Sequence, residues 1–335
     1  MPQITIIGTG LIGGSIGLAL KQHGIDDLTI VAHDREPSVA SRAVKRGAAD
    51  RRELNLHSAV KDADLIILAT PALAAKETLE YIGGDLTPGT IVTDTCSTKV
   101  EILKWAQELL PKEVSFVGGH PMAGREFAGI DAAEANLFVE ATYCILPATN
   151  ASKDAVNTIT GMVSLLGARH YFIDPAEHDS YVAAVSHLPI ALSTTLVNIA
   201  AKSNAWREMG QIAATGFRDV TRLASGDPTM SRDIYLTNTQ AITYWIDAFV
   251  QELTAFREKV AKGDPDIENL FTQAMEYRDL WLAKRLEDTE IPIEIPTASE
   301  NIASMFVGSR MVSRLKDVDP RQQEQKQKSN FFRRS

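Results

Sequence analysis

The sequence predicts a doubly wound α/β domain, with helices on both faces of a parallel sheet, followed by an all-helical domain. Two observations support this: short apolar segments alternate with helical patterns, and beyond about residue 175 the pattern is almost purely helical. The 335 residues suffice for two hydrophobic cores. The predicted boundaries are 1–173 for the first domain, 174–285 for the second, and 286–335 for an extended segment and mobile tail.

Each strand of the first domain is predicted from a short apolar run that ends in polar or turn residues. Residues 65–69 are apolar throughout, which is typical of a parallel strand covered on both faces. The predicted strands are residues 4–7, 28–32, 65–69, 91–94, 114–117, 141–147 and 169–173, and helical patterns occupy 15–23, 37–47, 100–110 and 152–166. In the second domain, apolar side chains at three- and four-residue spacing predict one buried helical stripe: Ile242, Trp245, Ile246, Phe249, Leu253 and Phe256.

Composition narrows the class of protein. The net charge of −9 implies no broad basic face, so nucleic acid is not an expected partner. Two cysteines indicate a reducing compartment, and the first residues enter a strand without a secretion signal, so a cytoplasmic location is expected. The most apolar stretch, 181–201, is interrupted by His187, Pro189 and several hydroxyl residues. A buried helix of a bundle is therefore expected there, and no membrane span.

A glycine-rich turn predicts a dinucleotide site. Gly8-Thr9-Gly10-Leu11-Ile12-Gly13 lies between a strand and a helix, and Asp34 follows at the end of the second strand. The glycines let a pyrophosphate approach the positive end of the helix. Asp34 would accept hydrogen bonds from the adenosine ribose and repel a 2′-phosphate, which favours NAD, whereas the adjacent Arg35 leaves NADP possible. Thr70, at another strand end, either borders the nicotinamide or merely ends its strand.

His120 is the candidate proton acceptor. It follows a strand on a loop padded by glycines, where regular packing gives little reason for a histidine, and a neutral imidazole near a nicotinamide can take the proton of an alcohol being oxidised. Ser97 follows another strand; it either hydrogen-bonds substrate or cofactor, or caps the following helix.

The helical domain offers further polar groups. His187 lies inside an apolar helical stretch next to Pro189, where it is either functional or a satisfied core histidine. Arg218 and Arg222 are four residues apart and would share one helical face, suited to a carboxylate or to solvent. No metal site is predicted: His178 and His187, nine residues apart on one apparent helix, would point to opposite faces.

Five segments, in this order, resemble the prephenate and arogenate dehydrogenase family, the cyclohexadienyl dehydrogenases of tyrosine synthesis. They are GTGLIGGS (8–15), DTCSTK (94–99), HPMAGRE (120–126), SHLP (186–189) and GFRDVTR (216–222), and the resemblance extends over about residues 3–260. It implies a Rossmann-type domain and NAD-dependent oxidative decarboxylation of prephenate, arogenate or both. It also implies that His120 is the catalytic histidine and that Ser97 assists it at the substrate hydroxyl.

The resemblance also implies a substrate site. His187 would line the pocket, Arg222, held by Asp219, would bind a substrate carboxylate, and Glu126 would contribute to side-chain discrimination. Arg125 stands where the family commonly has a small residue. As an added cation it would disfavour the ammonium group of arogenate, so prephenate is the favoured substrate. The helical domain would form a homodimer, because 181–201 is more apolar than one packed face needs.

Two alternatives stay open at the level of sequence. The first is a β-hydroxyacid dehydrogenase or imine reductase of the same two-domain layout, although many such enzymes depend on a lysine in the helical domain, where this chain offers two arginines and a histidine. The second is a non-catalytic NAD-sensing protein, which would have no use for His120, His187 and Arg222 together.

Overall fold

The structure, a computed structural model, describes residues 2–125 and 127–284, so the tail predicted at 286–335 lies outside the described residues. The strands are β1 (Gln3–Ile7), β2 (Thr29–His33), β3 (Arg51–Arg52), β4 (Leu65–Leu68), β5 (Ile91–Asp94), β6 (Ser115–Pro121), β7 (Thr142–Pro147) and β8 (Arg169–Phe172). The helices are α1 (Leu11–Gln22), α2 (Pro37–Lys45), α3 (Leu56–Val60), α4 (Ala72–Ile82), α5 (Val100–Leu109), α6 (Lys153–Leu165), α7 (Pro175–Val182), α8 (Leu188–Ala201), α9 (Trp206–Ile212), α10 (Thr215–Thr221), α11 (Pro228–Thr237), α12 (Thr239–Lys262) and α13 (Ile267–Lys284).

All eight strands form one sheet in the order β3-β2-β1-β4-β5-β6-β7-β8. Strands β1 to β6 run parallel to one another, which confirms the doubly wound fold predicted from the sequence. Strand β7 departs from that prediction, because it runs antiparallel to β6. A connection out of the carboxyl end of β6, through a short 3₁₀ turn at Ile130–Ala132, brings the chain back without a crossover helix.

Two apolar cores cover the faces of this sheet. Along β4, Leu65 and Ile67 join one core, whereas Ile66 and Leu68 join the other, as the alternation of side chains in a strand requires. The first core packs against α1, α2 and α6, and the second against α3, α4 and α5. Each strand end is thereby fixed from both sides, and the loops at the carboxyl edge have a rigid base.

The helical half begins with an interrupted helix. Helices α7 and α8 are joined by a π-helical turn, Ala183–His187, where Pro189 has no N–H with which to continue the regular hydrogen-bond ladder. By length and composition the run Pro175–Ala201 could cross a membrane, with a mean hydropathy of 1.5, yet only 22% of that window is buried within the chain. The expectation of a buried helix is therefore wrong for a single chain, since Val185 and Ile199 remain exposed.

Candidate active site

The carboxyl ends of the parallel strands bring the predicted site residues to one edge of the sheet. Gly8 follows β1, Asp34 follows β2, Thr70 follows β4 and Ser97 follows β5. His120 lies at the end of β6, beside them. This is the edge at which doubly wound sheets bind their ligands.

His120 belongs to strand β6, which corrects the prediction of a loop. Glycines often indicate a loop, but here their missing side chains allow close packing. A Cβ on Gly119 would lie 2.6 Å from the carbonyl oxygen of Asp94 and 2.8 Å from the hydroxyl of Tyr143. Cross-strand pairing continues through His120, which lies opposite Cys144 of β7. A strand fixes the direction of the imidazole more firmly than a loop would.

A chain of hydrogen bonds leads away from His120. Its Nδ1 lies 2.9 Å from Nε2 of His178, and Nδ1 of His178 lies 2.8 Å from Oδ1 of Asp179. All three side chains are buried. Burial lowers the pKa of His120 well below its usual 6.5, and repulsion between a proton on His120 and the protonated forms of His178, Lys99 and His187 lowers it further. His120 is therefore neutral at physiological pH, as a proton acceptor must be.

A buried ion pair supports the same strand end. Lys99 has no exposed surface, and its Nζ contacts Oδ2 of Asp94. Oδ1 of Asp94 accepts the backbone N–H of Gly119 at 3.1 Å, and Oδ2 accepts that of Cys96 at 2.9 Å. The pair thus joins the end of β5 to the residue before His120. Removing one partner of such a buried pair typically costs about 3–5 kcal/mol.

Carboxylates of the helical half cap two helices of the first half. Asp179 accepts the N–H groups of Lys99 and Val100 at 2.8 and 2.9 Å, at the start of α5. Asp233, on α11, accepts the N–H of Leu73 at 3.0 Å, at the start of α4. A helix N-terminus carries unpaired N–H groups and partial positive charge, so each cap fixes the two halves together.

Ser97 is not the cap of α5. The helix begins at Val100, after Lys99, and takes its capping bonds from Asp179. Ser97 is half-buried in the loop that precedes the helix. Its neighbour Thr98 is buried and bonded to Thr237 of α11 at 2.8 Å, so the loop is held on both sides of the serine hydroxyl.

His187 ends the π-helical turn and is fully buried. Its carbonyl accepts the hydroxyl of Tyr235 at 2.8 Å, and its Nδ1 lies 3.4 Å from Nδ2 of Asn238. Nε2 has no hydrogen-bond partner among the described residues. Burial lowers the pKa of His187 to about 4, although the charge of Asp179 opposes the shift, so this imidazole is also neutral.

The π turn also corrects the argument that His178 and His187 point to opposite faces. Its extra residue rotates the later part of the helix by about 100°. The His178 ring contacts His120, and the charge state of His187 also affects the pKa of His120, so both histidines lie near the end of β6. Across residues 2–125 and 127–284, no group of three metal-binding side chains is found.

The glycine-rich turn has the shape of a pyrophosphate cradle. Gly8 has a φ of +88°, and a Cβ there would meet the backbone of Ala69 at 2.5 Å. A Cβ on Gly10, the residue before α1, would meet nothing within 4 Å, so open space lies beside the free N–H groups of the helix. Leu11, Ile12 and Gly13 form its first turn.

Asp34, Arg35 and Thr70 flank this cradle. Oδ2 of Asp34 accepts the N–H of Thr9 at 2.9 Å, which ties the second strand end to the glycine turn, and Arg35 is exposed beside it. The hydroxyl of Thr70 is buried without a partner among the described residues. Such an orphaned polar atom is expected where a ligand completes the hydrogen bonding.

Arg125 and the predicted carboxylate-binding residues lie at the surface. Both Nη atoms of Arg125 contact the Glu134 carboxylate, at 2.6 and 2.5 Å, so its charge is paired. Glu126 lies outside the described residues. Arg222 starts a 3₁₀ turn after α10 and is exposed, which separates it from the helix carrying Arg218. The carboxylate of Asp219 lies 3.5 Å from Nε of Arg218.

Sequence reasoning missed four residues of this cluster: His178, Asp179, Lys99 and Asn238. A faint signal existed for the first two, since a histidine followed by an acid stands near the start of a helix that leads to His187. Their contacts, however, join residues far apart in the chain, such as Lys99 with Asp179 and His187 with Asn238.

Family models match almost the whole described chain. The model for the prephenate dehydrogenase nucleotide-binding domain matches residues 16–172, and the model for the prephenate dehydrogenase dimerization domain matches residues 174–276.

Individual prephenate and arogenate dehydrogenases are also similar to this chain. The prephenate dehydrogenase of Bacillus subtilis (strain 168) is 36% identical over 283 residues, which cover 82% of this chain and 75% of that protein. Synechocystis arogenate dehydrogenase has a similar crystal structure, with a TM-score of 0.69 and 31% identity over 83% of this chain and 99% of that one. The structure of A. aeolicus prephenate dehydrogenase in complex with hydroxyphenyl propionate and NAD+ has a TM-score of 0.77 and 27% identity, over 83% of this chain and 97% of that one.

Proposed function

The chain belongs to the prephenate dehydrogenase family, and we propose that it oxidises and decarboxylates prephenate, arogenate or both with NAD, in tyrosine biosynthesis. The observation that carries this proposal is the neutral, buried His120 at the carboxyl edge of the sheet. Relatives of this kind do not favour the β-hydroxyacid dehydrogenase, imine reductase and sensor alternatives.

The residues at the sheet edge fit NAD. The turn of Gly8 and Gly10, with the first turn of α1, leaves backbone N–H groups beside open space for a pyrophosphate. Asp34 would accept hydrogen bonds from the ribose, and its charge would repel a 2′-phosphate. The methyl group of Thr70 lies beside Gly8, and a bound cofactor would satisfy the orphaned hydroxyl of the same side chain.

In the proposed reaction, NAD supplies the acceptor for the hydride that leaves the hydroxyl-bearing ring carbon. His120 accepts the proton of that hydroxyl at Nε2, which leaves a carbonyl. Carbon dioxide then leaves the same ring, the electrons of the broken C–C bond pass through the ring to the carbonyl oxygen, and that oxygen takes up a proton, so the ring becomes aromatic. Ser97 would hydrogen-bond the reacting hydroxyl, from a loop that Thr98 and Lys99 hold in place.

The hydrogen-bond chain behind His120 prepares it for this role. Nδ1 of His178 faces the Asp179 carboxylate, which can only accept, so we propose that Nδ1–H of His178 donates there and that its Nε2 accepts from Nδ1–H of His120. The lone pair of His120 then lies on Nε2, the atom that takes the substrate proton. Orienting a base through a third group in this way is the general logic of catalytic triads.

Substrate carboxylates would be bound from the helical half. Arg222, with Asp219 nearby in the same segment, would orient a carboxylate, and His187 would line the pocket. Glu126 and Arg125, in the segment after β6, would face the side chain that distinguishes prephenate from arogenate.

The helical half would also form a homodimer. The model that matches residues 174–276 describes a dimerization domain, and apolar side chains such as Val185 and Ile199 are exposed in the single chain. A second copy would cover them. A soluble dimeric enzyme in the cytoplasm completes this proposal.

The test is the absorbance of reduced nicotinamide after adding NAD with prephenate or arogenate, repeated with NADP. We expect turnover with NAD and at least one substrate. Absence of turnover with both substrates, from protein that binds NAD, would contradict the proposed function. The ratio of the two kcat/KM values gives the side-chain preference.

A further inference from the structure

The buried Nε2 of His187 is a polar atom without a protein partner at the junction of the two halves. The ring has no exposed surface, and its charge state affects the pKa of His120, so the two imidazoles are near neighbours. An unpaired buried polar atom is costly unless a ligand satisfies it. Whether Nε2 donates or accepts depends on which nitrogen carries the proton.

Asn238 determines this, because its own orientation is fixed. Its amide nitrogen Nδ2 lies 2.7 Å from the carbonyl oxygen of Asp179. A backbone carbonyl can only accept, so the group facing it must be the NH₂ and not the amide oxygen. The same NH₂ group lies 3.4 Å from Nδ1 of His187, a long hydrogen bond. Nδ1 of His187 therefore accepts.

The backbone beside the ring is held as well. Tyr235, three residues before Asn238, donates its hydroxyl to the carbonyl of His187 at 2.8 Å. Nδ2 of Asn238 and the hydroxyl of Tyr235 thus fix the ring and the main chain of one residue. Asn238 is itself 7% exposed and precedes the first turn of α12.

We propose that Asn238 is a positioning residue that holds His187 in the tautomer with its proton on Nε2, so that His187 donates a hydrogen bond to a carboxylate oxygen of the substrate. The substrate part of this inference rests on the function proposed above. The two imidazoles then have opposite roles: His120 presents a lone pair on Nε2, and His187 presents an N–H there. A donor matches an anionic oxygen, and a bond to a charged group is worth more than a neutral one.

The tautomer can be measured directly without substrate. The 15N shifts of labelled histidine distinguish a protonated ring nitrogen from one with a lone pair, and a His187→Gln variant assigns the signals of His187. We expect Nε2 protonated and Nδ1 unprotonated in the wild-type protein. In Asn238→Asp, the new carboxylate accepts from Nδ1, so the proton should move there. Nδ1 protonated in the wild type would overturn the proposal.

Steady-state kinetics tests the consequence. Asn238→Asp keeps the shape of the side chain but reverses the proton position, and should lower kcat/KM by about 10- to 100-fold, mainly through KM. Asn238→Ala leaves the ring free to choose its tautomer and should lose less. A purely structural role predicts the opposite order, because alanine removes more contacts than aspartate; that order would overturn the proposal.

Two controls keep the outcomes separate. Asn150→Asp makes the same chemical change at an exposed amide near the start of β6, far from the carboxyl edge, and should leave kcat/KM and the His187 signals unchanged. If the wild-type protein turned over neither substrate, the proposed function would fail, while the 15N pattern would still decide the tautomer. If Asn238→Asp did not fold, Asn238→Ala and the wild-type spectrum would remain decisive.

Discussion

The two halves of the chain differ in how completely they bury their apolar side chains. In residues 2–173, two large clusters fill both faces of the sheet. In residues 174–284, one small cluster contains only Ala183, Ile234 and Ile242 as buried members. Ile199 and Leu253 in that half are 65% and 53% exposed.

This difference suggests that the two halves have different roles, one in positioning the reacting groups and the other in substrate binding and assembly. The first half buries its own apolar side chains and holds the glycine cradle and His120. The second half buries few of its own; its Asp179 and Asp233 cap helices of the first half, and in our proposal a second copy covers its exposed apolar side chains. If the division is correct, changes in the first half should abolish chemistry, and changes in the second should weaken substrate binding and assembly.

The largest expected effect follows from removing the base in the first half. His120→Asn should lower kcat by about 100- to 10,000-fold, the range for loss of a general base. Folding and NAD binding should persist, because the asparagine amide can still donate to Nε2 of His178. His170→Asn, on the edge strand β8, is the matched control and should retain activity. Full turnover by a folded, NAD-binding His120→Asn variant would remove His120 from the mechanism.

The pH dependence of kcat/KM also tests the role of His120 as the base. Burial lowers the pKa of His120, so the imidazole stays neutral as the pH falls through its ordinary value of 6.5. kcat/KM, which reports the free enzyme, should therefore hold its plateau down to pH 6.5 and decline only below it, by about tenfold per pH unit. An acid limb at or above pH 6.5 that His120→Asn abolishes would contradict the shift.

Arg222→Gln tests whether the second half binds the carboxylate. We expect KM for the substrate to rise by about 10- to 100-fold with a smaller change in kcat, since the contact exists in both ground and transition states. Arg218→Gln is the control, four residues earlier and 76% exposed beside Asp219. Equal effects of the two substitutions would indicate a general charge effect of this segment instead of one binding residue.

Elements and site residues could be predicted from the sequence where a short stretch of neighbouring residues determines them. β4 is a continuous apolar run and is predicted within one residue, and β5, an apolar pair followed by Thr93 and Asp94, is predicted to the residue. Gly8, Gly10 and Asp34 lie where the fingerprint places them. The error at His120 arose because its glycines serve close packing, which needs the positions of Asp94 and Tyr143 to be known. The π turn that ends at His187 was not predicted, because the helical spacing of apolar residues does not reveal a single inserted residue.

Dimer formation should weaken when a charge is introduced on the second half, but not when one is introduced on the first half. Leu253→Asp and Leu54→Asp alter leucines of similar exposure, 53% and 58%, one in each half. If a second copy covers Leu253, the charge must be buried, and association should weaken at least about tenfold. Leu54→Asp should leave it unchanged. Sedimentation across protein concentrations measures both; equal behaviour would mean that Leu253 lies outside the interface.

The smallest effect is expected at the segment after β6, which in our proposal meets the substrate side chain. As an unpaired cation Arg125 would reject the ammonium of arogenate, but the Glu134 carboxylate pairs with Arg125, and both side chains are over 40% exposed. Solvent screens such a pair, which is worth roughly 0–1 kcal/mol. Arg125→Gln should then change the ratio of kcat/KM for prephenate and arogenate by at most about fivefold.

Glu134→Gln provides the opposite change, because it leaves the arginine charge without its carboxylate partner. Arogenate turnover should then fall relative to prephenate, while the change at Arg125 should raise it. An increase in arogenate use of more than about tenfold in Arg125→Gln would mean that the arginine leaves Glu134 and meets the substrate side chain in the complex. Since the backbone N–H of Glu134 is bonded to Ser15 of α1, that movement would have to come from the arginine side of the pair.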